Sequence, residues 1–367
     1  MSEPQKIKVG ITHGDINGIG YEVILKALED SRITELFTPV VYGSAKVAGF
    51  YRKAMNLPGV NLVQIPDAAS ARHGEVNIIN VIDEDTRVEP GQPTETAGKA
   101  AFAALERATA DLKDGKIDVL VTAPINKHSI HSDTFSFPGH TEYLESSLGQ
   151  DGEKALMILC NDDTRVALAT VHIPVSQVSE SLTTDGIVLK LEAFDRSLKR
   201  DFNISSPRIA VLALNPHAGD NGLIGNEENE IIIPAIKATQ EKKILCFGPY
   251  SADGFFGNGS HRRFDGVLAM YHDQGLAPFK LMSMDSGVNF TAGLQYVRTS
   301  PDHGTAFDIA AKGEADASSM REAIYRAIDI FRNRRTYDRA RRNPLRKQFY
   351  DKKHEDVTID LSKEETE

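Results

Sequence analysis

The sequence contains few cysteines and no long apolar run, and each shortage excludes a class of protein. Only Cys160 and Cys246 are cysteines among 367 residues, which is too few for a disulfide framework or a four-cysteine zinc site. No stretch approaches the ~18 consecutive apolar residues of a membrane span, and residues 1–6 lack the apolar core of a signal peptide. We therefore expect a cytoplasmic protein without a membrane partner.

Positively charged residues are fewer than negatively charged ones, 42 against 52. The formal net charge of −10 argues against nucleic acid as the main partner. Basic residues are concentrated at 332–353, where ten lysines and arginines face two aspartates and give this segment a charge of +8. Charge runs of this kind are usually solvated. We interpret 332–367 as a charged C-terminal extension, either a solvated helix or a partly disordered arm, and an RNA- or partner-binding arm is the alternative.

The remaining composition is that of a globular α/β protein. Hydrophobic residues make up 41% and charged residues 26% of the chain, and the length exceeds the ~250–300 residues at which single cores stop growing, which favours two domains. Strands are predicted at 8–12, 40–43, 118–122, 155–159, 166–171, 209–214 and 266–271, and helices at 21–29, 44–55 and 96–112. This alternation predicts a mainly parallel sheet with helices on both faces.

Three of the predicted strands are followed by a histidine: His172, His217 and His272. Ligands of open α/β sheets bind beyond the carboxyl ends of the strands, and neutral imidazole is the commonest protein ligand for divalent first-row metals. The pattern indicates a catalytic metal site, and three satisfied structural histidines are the alternative. Three acidic residues are available to orient an imidazole through its second nitrogen: Asp220, Asp253 and Asp273.

Other candidate contacts are single residues. His140 and Thr141 follow a Pro-Gly turn, where they offer a donor pair to a carboxylate or phosphate, or else Thr141 simply caps a helix. Lys280, Asn289 and Arg298 combine an ammonium, an amide and a guanidinium suited to a phosphate. Placement on the surface is the alternative for each of these three.

The signals for nucleotide binding are indirect. The glycine-rich turn at 14–20 lacks both the spacing of a dinucleotide G-x-G-x-x-G motif and a P-loop lysine, so the fold is not expected to be a Rossmann fold. A second turn contains His303, Gly304 and Thr305 before a helix predicted to begin at Asp308. Its backbone could approach an adenosine moiety closely, and a plain turn with a helix cap is the alternative.

Taken together, several motifs resemble the 4-hydroxythreonine-4-phosphate dehydrogenases, which act in the synthesis of pyridoxal phosphate. The resemblance extends in order over about residues 7–330. Besides the strand ending at His172, the motifs are Gly139-His140-Thr141-Glu142, Asn215-Pro216-His217-Ala218-Gly219, Met270-Tyr271-His272-Asp273-Gln274-Gly275, Gly287-Val288-Asn289 and Arg298-Thr299-Ser300-Pro301-Asp302-His303-Gly304-Thr305-Ala306.

The resemblance implies two α/β/α domains with a cleft between them, similar to isocitrate and isopropylmalate dehydrogenases. Domain 1, on the nucleotide side, is expected to comprise 1–135 and 300–331. Domain 2, with the metal, substrate and dimer contacts, is expected to comprise 136–299.

The resemblance also implies residue roles. His172, His217 and His272 would bind one divalent ion (Zn, Mg, Co, Mn or Ni) across a homodimer, with one histidine from the second subunit. Asp253 and Lys280 are expected to be catalytic, Asp253 for proton handling or for support of a metal ligand. The residues expected to contact the substrate are His140, Thr141, Lys280, Asn289 and Arg298. Those expected to contact the nucleotide are His303, Gly304, Thr305 and Asp308.

The implied reaction is the NAD- or NADP-dependent oxidation of 4-phosphooxy-L-threonine, followed by decarboxylation to 3-amino-2-oxopropyl phosphate. A paralogous dehydrogenase of a four-carbon phosphorylated sugar acid, such as phosphoerythronate or phosphothreonate, is the nearest alternative. A metal-dependent hydrolase and a non-catalytic phosphometabolite sensor are more remote. The sequence departs from the family at 12–17, where a Pro-Gly-Glu-Pro-like run is more usual, and after Asp253, where a threonine is common.

Overall fold

One sheet of twelve strands extends through the molecule, in the order β3-β4-β2-β1-β5-β12-β11-β6-β7-β10-β8-β9. The computed structural model describes residues 6–57, 59–131, 135–150, 152–283 and 285–344. Its strands are β1 (Lys8–Thr12), β2 (Thr38–Gly43), β3 (Leu62–Gln64), β4 (Val76–Asn80), β5 (Val119–Thr122), β6 (Leu156–Cys160), β7 (Arg165–Leu168), β8 (Arg208–Leu212), β9 (Leu245–Tyr250), β10 (Gly266–Ala269), β11 (Val288–Ala292) and β12 (Arg298–Pro301).

The strand direction reverses at the centre of the sheet. The pairs from β3 to β12 are parallel, and so are those from β7 to β9. The pairs β12–β11, β11–β6 and β6–β7 are antiparallel. The connection from β6 to β7 is too short for a parallel crossover, and Asn161 Oδ1 closes it by accepting from the backbone N–H of Thr164 at 2.7 Å. The predicted mainly parallel sheet is confirmed, with an antiparallel centre.

Helices cover both faces of the sheet, as predicted. They are α1 (Gly20–Ala27), α2 (Ile33–Leu36), α3 (Ala45–Ala54), α4 (Glu95–Lys113), α5 (Lys127–Ile130), α6 (His140–Leu148), α7 (Val178–Ser181), α8 (Thr184–Arg200), α9 (Ile233–Glu241), α10 (Ala252–Gly257), α11 (His272–Ser283) and α12 (Ser318–Arg341). α4 matches the helix predicted at 96–112. It begins where the Thr94 hydroxyl accepts from the backbone N–H of Ala97, because this cap satisfies a free donor of the first turn.

The last helix crosses the limit expected between domain 1 and the charged extension. α12 continues to Arg341, and Arg334 within it is buried against Asp201, with Nε 2.6 Å from Oδ1. The first ten residues of the predicted extension are thus part of a helix that packs on the sheet. The remainder from 345 onward lies outside the described residues, and the domain limits stay predictions.

The described part of the chain contains no helix whose length and apolar character would suit a membrane crossing. Cys160 on β6 and Cys246 on β9 are both buried and free. Burial raises the pKa of each thiol to about 11, which keeps both in the unreactive protonated form near neutrality.

The turn after β1 contacts three other segments of the chain, near residues 92, 124 and 305. Gly14 has a φ of +70°, and a Cβ there would lie 2.2 Å from the carbonyl oxygen of Pro124, so glycine is required. The Asn17 side chain donates to the carbonyl of Gln92 at 2.8 Å. The backbone N–H of Ile19 donates to the carbonyl of Thr305 at 3.0 Å. This turn therefore supports the loop predicted to bind a nucleotide.

The same turn holds a buried acid that makes stability depend on pH. Asp15 is 1% exposed, and burial raises its pKa from 3.8 to about 6, against the opposing hydrogen bond from the backbone N–H of Asn17. The neutral carboxyl therefore favours the folded state at low pH, and this contribution is lost as the pH rises through about 6.

The Asp15→Asn variant carries a neutral side chain at every pH. Asp15→Asn should exceed the wild type in unfolding free energy by about 3 kcal/mol at pH 8 and match it below pH ~4.

Urea denaturation at a series of pH values measures this difference. Glu84→Gln, at an exposed position, is the control and should leave the pH dependence unchanged. A constant difference between Asp15→Asn and the wild type across the series would refute the role of Asp15.

Candidate active site

A cleft of about 310 Å³ lies over the central strands, between the end of β5 and helices α6 and α11. Most of the predicted site residues line it: His140, Thr141, His172, His272, Lys280, Asn289, Arg298, His303 and Gly304. Four others lie outside it: Thr305, Asp308, His217 and Asp253. Residues from distant parts of the chain therefore meet in one place, as expected of a ligand site.

Two of the predicted metal ligands are neighbours. β7 and β10 are adjacent and parallel, so their carboxyl ends bring His172 and His272 to the same edge, with 6.2 Å between the ring centroids. Glu142 Oε1 lies 3.0 Å from His172 Nδ1, and Asp273 Oδ1 lies 2.6 Å from His272 Nδ1. A carboxylate on Nδ1 orients a metal-binding imidazole and leaves its Nε2 available. This donor set fits a divalent cation.

The third predicted ligand lies elsewhere. His217 is exposed and is absent from the lining of the cleft. Within the described residues, no three histidine, cysteine, aspartate or glutamate side chains gather as a metal cluster. The pKa of Asp253 is lowered mainly by a hydrogen bond from Ser251. The charge of His217 also lowers it, which shows that Asp253 lies near His217. One chain therefore presents two separate groups, a histidine pair in the cleft and His217 with Asp253.

His217 begins an unusual turn. Residues 217–221 all have positive φ, from 43° to 76°, a left-handed conformation that costs roughly 1–2 kcal/mol for each residue other than glycine. Buried Glu228 holds the start of this turn, because Oε1 accepts from the backbone N–H groups of Leu214 and Asn215, each at 2.8 Å. Such strain persists only where the surroundings determine it and is frequent at functional sites.

Arg298 is a buried cation without a carboxylate partner. It is 4% exposed, and its guanidinium donates to Thr122 Oγ1 at 3.0 and 2.5 Å and to Thr291 Oγ1 at 3.2 Å. No ion pair of Arg298 occurs in the described part of the chain. Burial lowers its pKa, and the negative charge of Glu142 opposes this shift only in part, as expected for a charge removed from water without an ion-pair partner. An anionic ligand in the cleft would supply that counterion.

Two uncharged polar groups of the cleft also lack a hydrogen-bond partner among the described residues. His140 Nε2 and Asn289 Oδ1 are buried and have no hydrogen bond to any described residue. Burial, followed by the charge of Arg298, lowers the pKa of His140 well below its usual value, so the imidazole is neutral near pH 7. α6 begins at His140 with Gly139 as its cap, so the alternative that Thr141 caps this helix is wrong.

Lys280 and the predicted nucleotide loop close one side of the cleft. Lys280 Nζ lies 3.3 Å from Asp302 Oδ1. The buried His303 Nε2 has no partner among the described residues, which suits a polar group of a bound dinucleotide. Thr305 contributes its backbone to the turn at 14–20, and exposed Asp308 lies in a short 3-10 helix, Phe307–Ile309.

Several cleft residues received no role from the sequence: Thr122, Lys127, Glu142 and Asp302. Buried Thr291, which accepts from Arg298, received none either. Glu142 belongs to the motif that contains His140, so the motif was the available signal for it. Lys127 lies five residues after the end of β5, on the side of the sheet that favours ligand contact.

The counterion argument predicts different outcomes for two buried arginines. Arg298→Met should change the unfolding free energy by less than about 1 kcal/mol, because the gain from no longer burying a charge without an ion-pair partner offsets the loss of its hydrogen bonds to Thr122 and Thr291. Arg334→Met, the control, leaves buried Asp201 unpaired and should cost about 3–5 kcal/mol. Urea denaturation measures both changes.

The same variants separate stability from ligand binding. Inorganic phosphate should raise the melting temperature of the wild type and have no effect on Arg298→Met. Equal stabilisation of both proteins by phosphate would contradict the assignment of Arg298 as an anion site.

Comparisons with known proteins agree with this geometry. The family model described as "Pyridoxal phosphate biosynthetic protein PdxA" matches residues 35–327. A 4-hydroxythreonine-4-phosphate dehydrogenase of Bacteroides thetaiotaomicron is 56% identical over 359 residues, which cover 98% of either chain. A D-threonate 4-phosphate dehydrogenase of Cupriavidus necator is 38% identical over 88% of this chain and 96% of its own.

A solved structure confirms the fold. The crystal structure of 4-hydroxythreonine-4-phosphate dehydrogenase from Klebsiella pneumoniae has a TM-score of 0.77 and 36% identity, covering 90% of this chain and 99% of that one. The resemblance found in the sequence motifs and the expected α/β architecture are thereby confirmed. The chain belongs to the family of pyridoxal phosphate biosynthetic proteins PdxA and is similar to oxidoreductases.

Proposed function

We propose that the protein oxidises 4-phosphooxy-L-threonine at its secondary hydroxyl with NAD or NADP and a divalent metal ion, followed by decarboxylation to 3-amino-2-oxopropyl phosphate. The observation that carries the proposal is that one cleft holds both a buried Arg298 without an ion-pair partner and a histidine pair in contact with carboxylates. A phosphorylated hydroxy acid offers an anion to the first and oxygen ligands near the second. The names of the relatives support this substrate.

The phosphate end of the substrate is assigned to Arg298, Lys280 and Asn289. These residues line the same cleft, and Arg298 can engage two phosphate oxygens at once. His140 and Thr141, at the start of α6, add neutral donors beside them. Binding energy gained far from the reacting carbon serves to orient the substrate, which raises the rate when the orientation matches the transition state.

The hydroxyl end is assigned to the histidine pair. The contacts of Glu142 and Asp273 with Nδ1 of His172 and His272 favour a proton on Nδ1, and this would leave each Nε2 to bind a cation. A divalent cation bound there supplies Lewis acidity toward a substrate oxygen. Zinc, magnesium, cobalt, manganese and nickel are all candidates, since imidazole accepts several of them.

The dinucleotide is assigned to the loop with His303, Gly304, Thr305 and Asp308. A bound nicotinamide supplies the hydride acceptor. His303 Nε2 and the exposed Asp308 carboxylate are the polar groups that this chain offers to it. The loop is held against the turn at 14–20 through Thr305, so its backbone is preorganised.

A second copy of the chain is proposed to complete the site. His217 and Asp253 are exposed and lie outside the lining of the cleft of their own chain. The loop that begins at His217 exposes Leu223 by 81% and Ile224 by 41%. Neighbouring exposed apolar side chains are typical of an interface. In a two-fold dimer, each His217 would join the histidine pair of the other subunit, and Asp253 would support it or handle a proton together with Lys280.

The reaction itself tests the proposal. NADH formation from 4-phosphooxy-L-threonine should require a divalent metal and stop when a chelator is added. His217→Ala should lower the rate at least ~100-fold, a loss in line with removal of a main electrostatic stabiliser. His73→Ala, at an exposed position away from the cleft, is the control. Full activity of His217→Ala would remove the proposed metal role.

Oxidation of a phosphorylated sugar acid is the second candidate, favoured by the similarity to a D-threonate 4-phosphate dehydrogenase. This candidate uses the same phosphate and metal residues, because its substrate carries a hydroxyl in place of the amine. Rates with 4-phosphooxy-L-threonine and with 4-phospho-D-threonate decide between them. We expect kcat/KM to be at least about tenfold higher for the amino acid, and the reverse preference would establish the second candidate.

A further inference from the structure

Lys127 is a cation of the cleft that the roles assigned above do not use. It is the first residue of α5, soon after the end of β5, and its side chain lines the cleft. It also lines a second hollow on the other side of His172 and His272. Lys127 therefore stands beside the histidine pair, where the two hollows meet.

The other two cations of the cleft are the ones assigned to the phosphate. Lys280 pairs with Asp302, and Arg298 donates to threonine hydroxyls. Lys127 is exposed and has neither an ion pair nor a hydrogen bond to any described residue. Among the described residues that line the second hollow, it is the single lysine or arginine. The charges of Lys127 and Glu142 attract each other without a close contact, so the ammonium remains able to bind an anion beside the histidine pair.

The backbone of Lys127 is held in place, although its side chain is free. Asn126 caps α5, because its Oδ1 accepts from the backbone N–H groups of His128 and Ser129 at 3.0 and 2.8 Å. Ile130 is buried at the other end of this turn. A fixed backbone with a flexible four-carbon side chain lets the ammonium reach a ligand at the histidine pair.

We propose that Lys127 binds the carboxylate of the substrate. The inference rests on the proposed function, in which the substrate carries a phosphate at one end and a carboxylate near the carbon that is oxidised. Arg298 and Lys280 serve the phosphate, so the carboxylate lies at the histidine pair and needs a cation of its own. Lys127 is the unpaired cation at that position.

This assignment makes Lys127 a determinant of substrate class. It selects phosphorylated hydroxy acids over phosphorylated amino alcohols that lack the carboxylate. It does not distinguish an amine from a hydroxyl at the neighbouring carbon, so both candidate substrates would use it.

Two ligands that differ only in the carboxylate test the assignment. The Kd values of 4-phosphooxy-L-threonine and 3-amino-2-hydroxypropyl phosphate are measured by calorimetry on the full chain loaded with zinc. Lys127→Met should weaken the first by about tenfold or more and leave the second within about twofold. Lys127→Arg should recover most of the lost affinity. Lys53→Met, an exposed lysine outside the cleft, is the matched control and should bind both ligands like the wild type.

Each other outcome overturns a defined part of the account. Equal weakening of both ligands by Lys127→Met, or no weakening of either, overturns the carboxylate assignment while the proposed function stands. Failure of the wild type to bind 4-phosphooxy-L-threonine overturns the proposed function together with this inference.

Discussion

The carboxylate held against each of two imidazoles is the interaction on which the site depends. Glu142 and Asp273 engage the Nδ1 atoms of His172 and His272, and a ring with one nitrogen so engaged is a better-oriented ligand through the other. The sheet makes this possible, because β7 and β10 are parallel neighbours whose ends lie at one edge. The antiparallel strands at the centre then add Asn289 and Arg298 from the other side of the cleft.

One chain supplies two imidazoles to the proposed cation site, whereas metal sites with catalytic roles usually have three protein ligands. His217 is held outward on a left-handed turn that buried Glu228 stabilises, together with exposed apolar side chains. Both features are costly in an isolated subunit, and a two-fold dimer accounts for them together because each subunit would fill the other's open position.

The sequence predicted the alternation of strands and helices well, since each buried strand and the long helix α4 carry a clear apolar pattern. The structure brings His172 and His272 to one edge, as the sequence indicated, because the carboxyl ends of parallel neighbours coincide, and their metal role stays a prediction. The same argument did not foresee the outward turn at His217, which depends on a distant carboxylate, Glu228. Lys127 was missed for a different reason: a lone lysine after a strand has the same pattern as a solvated one.

Mixing two inactive variants tests most directly whether the site is shared between subunits. His172→Ala and His217→Ala are unfolded together, refolded together and assayed for NADH formation. If each site combines the pair from one chain with the partner subunit's His217, the mixture should recover about one quarter of the wild-type rate, since half of the dimers are mixed and each of these has one intact site. A mixture that stays as inactive as its components, although mixed dimers are present, would contradict a shared site.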